Sequence, residues 1–263
     1  LKWVIRSPLV LLATALIACA SSPDDKGFEL LSDTAPSDPR PSTTTPATPA
    51  TSEALSTTTT TVPGYVVEVA YATGEVEVYP APRAPTPSRV LPATTILGSP
   101  TVLPILSEAV SGWVEVALPG RPNESTGWVE AEPFSYAQVD QRIEISLAEA
   151  TLTLYVRDEP VLSSAVAIGS PENPTPPGWF FVTDIVELTD PTGPWGPHAL
   201  GLSARSETVT EFNGGDGIIG IHGTNRPNRI GEAVSLGCVR VPNDVITRLA
   251  GLVALGVPVV IAP

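Results

Sequence analysis

Methionine is absent from all 263 residues, and cysteine and histidine occur only twice each. Two histidines and two cysteines lying 219 positions apart cannot build a four-ligand zinc site without several carboxylates, and no CxxC pair is present for dithiol work. No metal and no cofactor is expected. Positive charge is equally scarce. Against 28 Asp and Glu stand 14 Lys and Arg, a formal charge of -14, and no lysine follows Lys26. A protein that binds a phosphate backbone needs a basic face to displace counterions, so nucleic acid is excluded as a partner. A membrane-spanning helix needs about 20 apolar residues, and the run near the N-terminus, Leu9 to Ala18, has ten.

What that run does provide is an address. Lys2 and Arg6 precede it and Cys19-Ala20-Ser21-Ser22 follow, the order of a secretory signal peptide over residues 1–18. Leu16-Ile17-Ala18-Cys19 resembles the lipobox of bacterial lipoproteins, which implies cleavage before Cys19 and lipidation of its thiol. Acyl chains at about 0.8 kcal/mol per buried methylene would hold the protein to a membrane surface through a lipid anchor only, without spanning it. The expected location is extracytoplasmic, on the outer face of the cytoplasmic membrane. Acids exceed bases by six to two over residues 19–63, nine to three over 64–141 and thirteen to seven over 142–263. So even a spread reads as solubility rather than as one docking patch.

Residues 19–63 form the next unit. From Thr34 to Pro63, 21 of 30 residues are Ser, Thr or Pro. Such a stretch cannot bury a core and reads as a disordered tether, reaching on the order of 90 Å at about 3.1 Å per residue into the cell wall.

Residues 64–141 alternate with period two. Val67, Val69 and Tyr71 precede a Thr73-Gly74 turn and then Val76 and Val78, and Gly112-Trp113-Val114-Glu115 recurs as Gly127-Trp128-Val129-Glu130 around a turn-rich segment, Arg121 to Thr126. The expectation is a small β-barrel or sandwich, with the two GWVE segments as a hairpin carrying Trp113 and Trp128 on one face. The segment from Ala117 to Ala131 resembles the SH3-like barrel that precedes the catalytic domain in secreted wall enzymes.

Residues 142–263 are mainly β as well. Strands are expected at Ile143–Ile145, Leu152–Val156, Val161–Ile168, Phe180–Leu188 and Val257–Ile261. One packed C-terminal helix starts at Asn243 as N-cap and ends at Gly256. The glycines Gly214, Gly215 and Gly217 lack the Lys-Ser/Thr of a phosphate loop and precede a strand, so they read as a hairpin turn.

The chemistry concentrates in Ile218 to Asp244. A β-branched run delivers His222 at a strand end, Gly223 follows, and Cys238 comes 16 residues later. A thiol of pKa about 8.5 is mostly protonated at neutral pH, and an adjacent imidazolium stabilises the thiolate and returns a proton to a leaving amine. Gly237 permits close backbone approach, and amides beside the nucleophile can hold an oxyanion, worth about 3–4 kcal/mol per donor. The order His before Cys disfavours papain-like and NlpC-type peptidases, whose cysteine comes first.

His222-Gly223-Thr224-Asn225, Ile230-Gly231 and Ser235-Leu236-Gly237-Cys238-Val239-Arg240 together resemble the signature of the L,D-transpeptidase catalytic domain family, the YkuD type. Two upstream segments extend the resemblance over 142–263: Ala167-Ile168-Gly169 with Thr175-Pro176-Pro177-Gly178-Trp179-Phe180, and Gly196-Pro197-His198-Ala199-Leu200-Gly201-Leu202. The resemblance implies an acyltransferase of peptidoglycan stem peptides with Cys238 as nucleophile and His222 as acid and base. The Gly223 carbonyl would orient the imidazole, and the Gly237 and Cys238 amides would form the oxyanion hole. Ser235 and Arg240 would shape the loop and meet substrate carboxylates, with a structural ion pair as the other reading of Arg240. Thr224 and His198 are placed at the substrate cleft. Carbapenem-type β-lactams are the implied inhibitors. Leu236 departs from the family, which usually has histidine there.

Three functions follow. The first is a transpeptidase making 3→3 cross-links through a thioester. The second is a wall-binding lipoprotein with a catalytic loop degenerate at Leu236. The third is an L,D-carboxypeptidase in which water replaces the acceptor amine.

Overall fold

The computed structural model describes residues 66–132, 134–212 and 215–263. The segments expected as signal peptide and tether, with Cys19, lie outside them. Among the described residues no helix is long and apolar enough to cross a membrane.

Seven short strands form the first part: β1 (Val67–Tyr71), β2 (Val76–Val78), β3 (Arg89–Leu91), β4 (Val102–Pro104), β5 (Trp113–Ala117), β6 (Thr126–Glu130) and β7 (Ser135–Val139). They pair as a three-stranded sheet β4-β1-β7 and two hairpins, β2-β3 and β5-β6. In the β5-β6 hairpin Trp113 stands opposite Glu130 and Trp128 opposite Glu115. Both indoles therefore share the face away from Val114, Val116 and Val129, because side chains alternate along a strand. Tyr79 meets the Trp113 ring edge-on at 5.1 Å.

The second part is an eight-stranded mixed sheet with its helix. Its strands are β8 (Gln141–Ser146), β9 (Thr151–Val156), β10 (Glu159–Ala165), β12 (Gly178–Glu187), β13 (His198–Arg205), β14 (Ile218–His222), β16 (Val239–Arg240) and β17 (Pro258–Ala262). The order is β10-β9-β8-β17-β12-β13-β14-β16, and a separate parallel pair joins β11 (Ile168–Gly169) to β15 (Ala233–Ser235). Arg157 and Asp158 both take positive φ, as a two-residue hairpin turn between β9 and β10 requires.

Helix α1 runs Asn243–Leu252, with Pro242 rather than Asn243 as its N-cap residue and no side-chain cap. Proline is well suited to a helix start because its φ is already fixed near the helical value. Asn243 is thereby released from capping. The helix also stops four residues before Gly256, with Val253 already extended. Its buried Ile246 and Leu249 join the main core.

Residues 64–141 and 142–263 contribute to a shared core. Val69, Val102 and Val139 of the first part lie in the same apolar cluster as Ile143, Phe180, Leu200 and Ile221, whereas Leu103 belongs to a second cluster with Val78, Val116 and Val129. Adjacent residues on β4 point to opposite faces. Val102 thus faces one core and Leu103 the other.

Candidate active site

Strand β14 ends on His222, and β16 runs parallel beside it with His222 opposite Arg240 and Ile221 opposite Val239. This register sets Cys238, the residue before β16, level with Gly220, whose N–H points at the Cys238 sulfur at 3.2 Å. The sequence-predicted pair is therefore brought onto neighbouring strands. Both side chains are fully buried.

His222 is oriented from one side and unpartnered on the other. Its Nδ1 lies 2.6 Å from the Gly223 carbonyl oxygen. A carbonyl only accepts, so Nδ1 carries the proton and Nε2 presents its lone pair. Nε2 is buried without a hydrogen-bond partner. Burial, helped by the nearby Arg240 charge and opposed by the Gly223 hydrogen bond, brings the His222 pKa down to about 3. The imidazolium expected from sequence is thus replaced by neutral imidazole, the form that accepts a proton. A cysteine attacks only as its thiolate, so thiol chemistry belongs to the reduced chain.

The turn carrying Cys238 is fixed by two buried hydroxyls. Ser235 Oγ donates to the Cys238 carbonyl at 2.5 Å and accepts the Gly237 N–H at 3.1 Å. Thr175 Oγ1 accepts the Gly169 N–H and donates to the Gly237 carbonyl, both at 2.8 Å. Gly237 has φ of 114°, and a Cβ there would meet Ile219 Cδ1 at 2.9 Å. The backbone conformation is what favours glycine there, since the Ile219 side-chain tip could shift. The expected pair of oxyanion amides is altered, because the Gly237 N–H is engaged by Ser235. Leu236 is half-buried.

A second tight junction lies under the histidine. The Oδ1 of Asn243 accepts the Thr224 N–H at 2.7 Å, and a Cβ on Gly223 would collide with that oxygen and with the Gly196 Cα. Thr224 is buried and its hydroxyl accepts the Arg226 N–H at 2.9 Å. It serves the backbone turn. His198 starts β13, half-buried, and its carbonyl lies 3.4 Å from the Gly223 nitrogen. Arg240 is 7% exposed, with Nε buried and unpartnered. Among the described residues it makes no ion pair, and its pKa is lowered by burial and then by the charges of Arg226 and Arg229.

Sequence reasoning missed Trp195, whose ring centroid is 4.6 Å from that of His222. It also quoted Thr175 without giving it a role. Trp195 directly precedes Gly196, and that Gly-Pro-Trp-Gly-Pro run was the available signal. Among the described residues no three His, Cys, Asp or Glu side chains gather as metal ligands.

Residues 140–261 match the L,D-transpeptidase catalytic domain model of the YkuD family. The chain is 34% identical over 154 residues to the YkuD protein of Bacillus licheniformis, assigned by name to the L,D-transpeptidases, covering 59% of this chain and 78% of that one. It is 30% identical over 158 residues to YkuD of Bacillus subtilis, covering 60% and 80%. An L,D-transpeptidase structure from Mycobacterium tuberculosis aligns over 62% of this chain and 90% of its own, at 15% identity and a TM-score of 0.40. With relatives at this identity matched over more than two thirds of their length, the chain belongs to the YkuD family of L,D-transpeptidases.

Proposed function

We propose that the reduced protein is a peptidoglycan L,D-transpeptidase that forms 3→3 cross-links between stem peptides. The observation that carries this reading is the neutral His222, with Nδ1 tied to the Gly223 carbonyl and Nε2 unpartnered, on the strand beside the one that Cys238 leads into. His222 Nε2 takes the thiol proton as Cys238 sulfur attacks the carbonyl between the third residue and the terminal D-alanine of a tetrapeptide stem. A C–S bond forms and the C–N bond breaks. The proton passes from Nε2 to the departing amine of D-alanine, leaving a thioester. The side-chain amine of a second stem then attacks that thioester, its proton returns through His222 to sulfur, and the enzyme is regenerated.

Burial strengthens each of these interactions by excluding water. The Cys238 amide is the oxyanion donor in this reading, since Gly237 is committed to Ser235. The unpartnered Nε of Arg240 is suited to a stem carboxylate. Lipidation of Cys19 and the Ser/Thr/Pro tether place the reaction in the cell wall, outside the cytoplasmic membrane.

Intact mass spectrometry of the reduced protein with a carbapenem tests this. One adduct is expected on the wild type and none on Cys238→Ala. Absence of an adduct on the wild type, or an equal adduct on the variant, sinks the reading. Tetrapeptide turnover with and without an acceptor amine then separates transfer from hydrolysis.

A further inference from the structure

The cluster at the nucleophile is not built by the catalytic half alone. Trp195, Ala199 and Cys238 form one buried apolar group, and three further side chains pack on it: Leu188, Phe212 and Leu97. Leu97 comes from the first β part. It sits at the tip of a loop closed by the Thr94–Pro100 bridge. Inside the loop Thr95 Oγ1 accepts the N–H groups of Leu97 and Ser99, each at 3.2 Å, and the Ser99 carbonyl accepts the Thr95 N–H at 2.8 Å.

The loop is also pinned to the catalytic sheet. The Thr95 hydroxyl donates to Asp184 Oδ1 on β12, and Asp184 is only 2% exposed. A charge-assisted hydrogen bond to a buried carboxylate is among the stronger polar contacts. Neighbouring Ile96 is 60% exposed, so the loop turns Leu97 and not Ile96 toward the nucleophile cluster.

We propose that Leu97 is a specificity-determining residue, an apolar wall supplied by the first β part that contacts the aliphatic portion of the acyl donor beside the scissile carbonyl. This rests on the transpeptidase reading for the identity of the donor. Thr95 and Asp184 act as positioning residues that hold the wall in place.

The test uses the reduced full chain with Leu97→Ala, Leu97→Val, Leu97→Trp and, as an exposed control, Ile96→Ala. For tetrapeptide turnover, Leu97→Ala is expected to raise KM about tenfold with kcat within about twofold, the scale of discrimination that a few methylenes give in an apolar pocket. Leu97→Val should fall between, and Ile96→Ala should match the wild type. A second readout needs no enzymatic activity: the rate at which N-phenylmaleimide labels Cys238, divided by the rate for iodoacetamide. That ratio should rise in Leu97→Ala and fall in Leu97→Trp. Should the wild type turn over no stem peptide, the transpeptidase reading fails, while the labelling ratio still decides whether Leu97 walls the site. Unchanged KM and unchanged ratio in variants that keep the wild-type melting temperature overturn the proposal. So does a lowered melting temperature with neither KM nor the ratio altered, which assigns Leu97 to packing alone.

Discussion

His222 has its ordinary titration moved down by burial, and folding stability follows it. In the unfolded chain it binds a proton below about pH 6.5, whereas in the fold it stays neutral to about pH 3. Between these values the unfolded state holds more protons, so stability rises with pH and is lost on acidification. From pH 7 to 5 this single group should cost about 2 kcal/mol of folding stability. Urea denaturation of wild type and His222→Gln across that range measures it, and the variant should show the shallower decline. Thr175 offers a second residue-scale prediction. Thr175→Val keeps the shape but removes both hydrogen bonds that tie Gly169 to Gly237. Buried groups left unpaired cost about 1–3 kcal/mol each. A lower melting temperature, together with slower carbapenem acylation of Cys238, is the expected result. Unchanged acylation would mean that the turn holds its shape without Thr175.

At the scale of elements, the loop between β5 and β6 does more than reverse the chain. Asn123 accepts the Arg205 N–H at 2.8 Å and donates to the Arg205 carbonyl at 2.9 Å, and Glu124 accepts the Trp179 N–H at 2.9 Å. Arg121 hydrogen-bonds the Ser206 and Asp216 carbonyls and the Asp216 carboxylate. It thereby bridges both ends of the segment that carries Phe212 to the cluster around Cys238. Asn123→Ala should cost about 1–2 kcal/mol through its two backbone hydrogen bonds. The ion pairs of Asp216 with Arg121 and Arg205, on a carboxylate that is 55% exposed, contribute less. Thermal melts of Asn123→Ala and Asp216→Asn should rank in that order. Helix α1 is likewise more than cover, since Asn243 at its start holds the Thr224 amide one residue beyond Gly223.

For the whole molecule, the shared core decides how the chain can be divided. A fragment of residues 142–263 loses Val69, Val102 and Val139 from its apolar cluster, each worth about 1.5–3 kcal/mol when fully buried. The fragment is expected to aggregate or to melt well below the chain of residues 64–263, as size-exclusion chromatography and circular dichroism would show. Two equally stable, monomeric preparations would refute the shared core.

Much of this was legible beforehand. Period-two alternation marked β1, β2, β8 and β9. The His222-Gly223 and Gly237-Cys238 segments stood out because histidine and cysteine are so rare. Strand β13 and the role of Asn243 were not legible. The first is a buried central strand with no alternation to read, and the second depended on which of Pro242 and Asn243 starts the helix. Trp195 and Leu97 reach the site from distant segments, and no local pattern announces a contact between such segments.

The sequence by itself singled out the candidate residues for chemistry, because chemical type is a property of the residue, and it determined the mainly β class, because alternation is local. Tertiary structure alone decided the neutral state of His222, the engagement of the Gly237 amide and the joining of the two β parts through Val69 and Val102. Desolvation, hydrogen-bond satisfaction and core membership arise only when segments far apart in the chain share one interior.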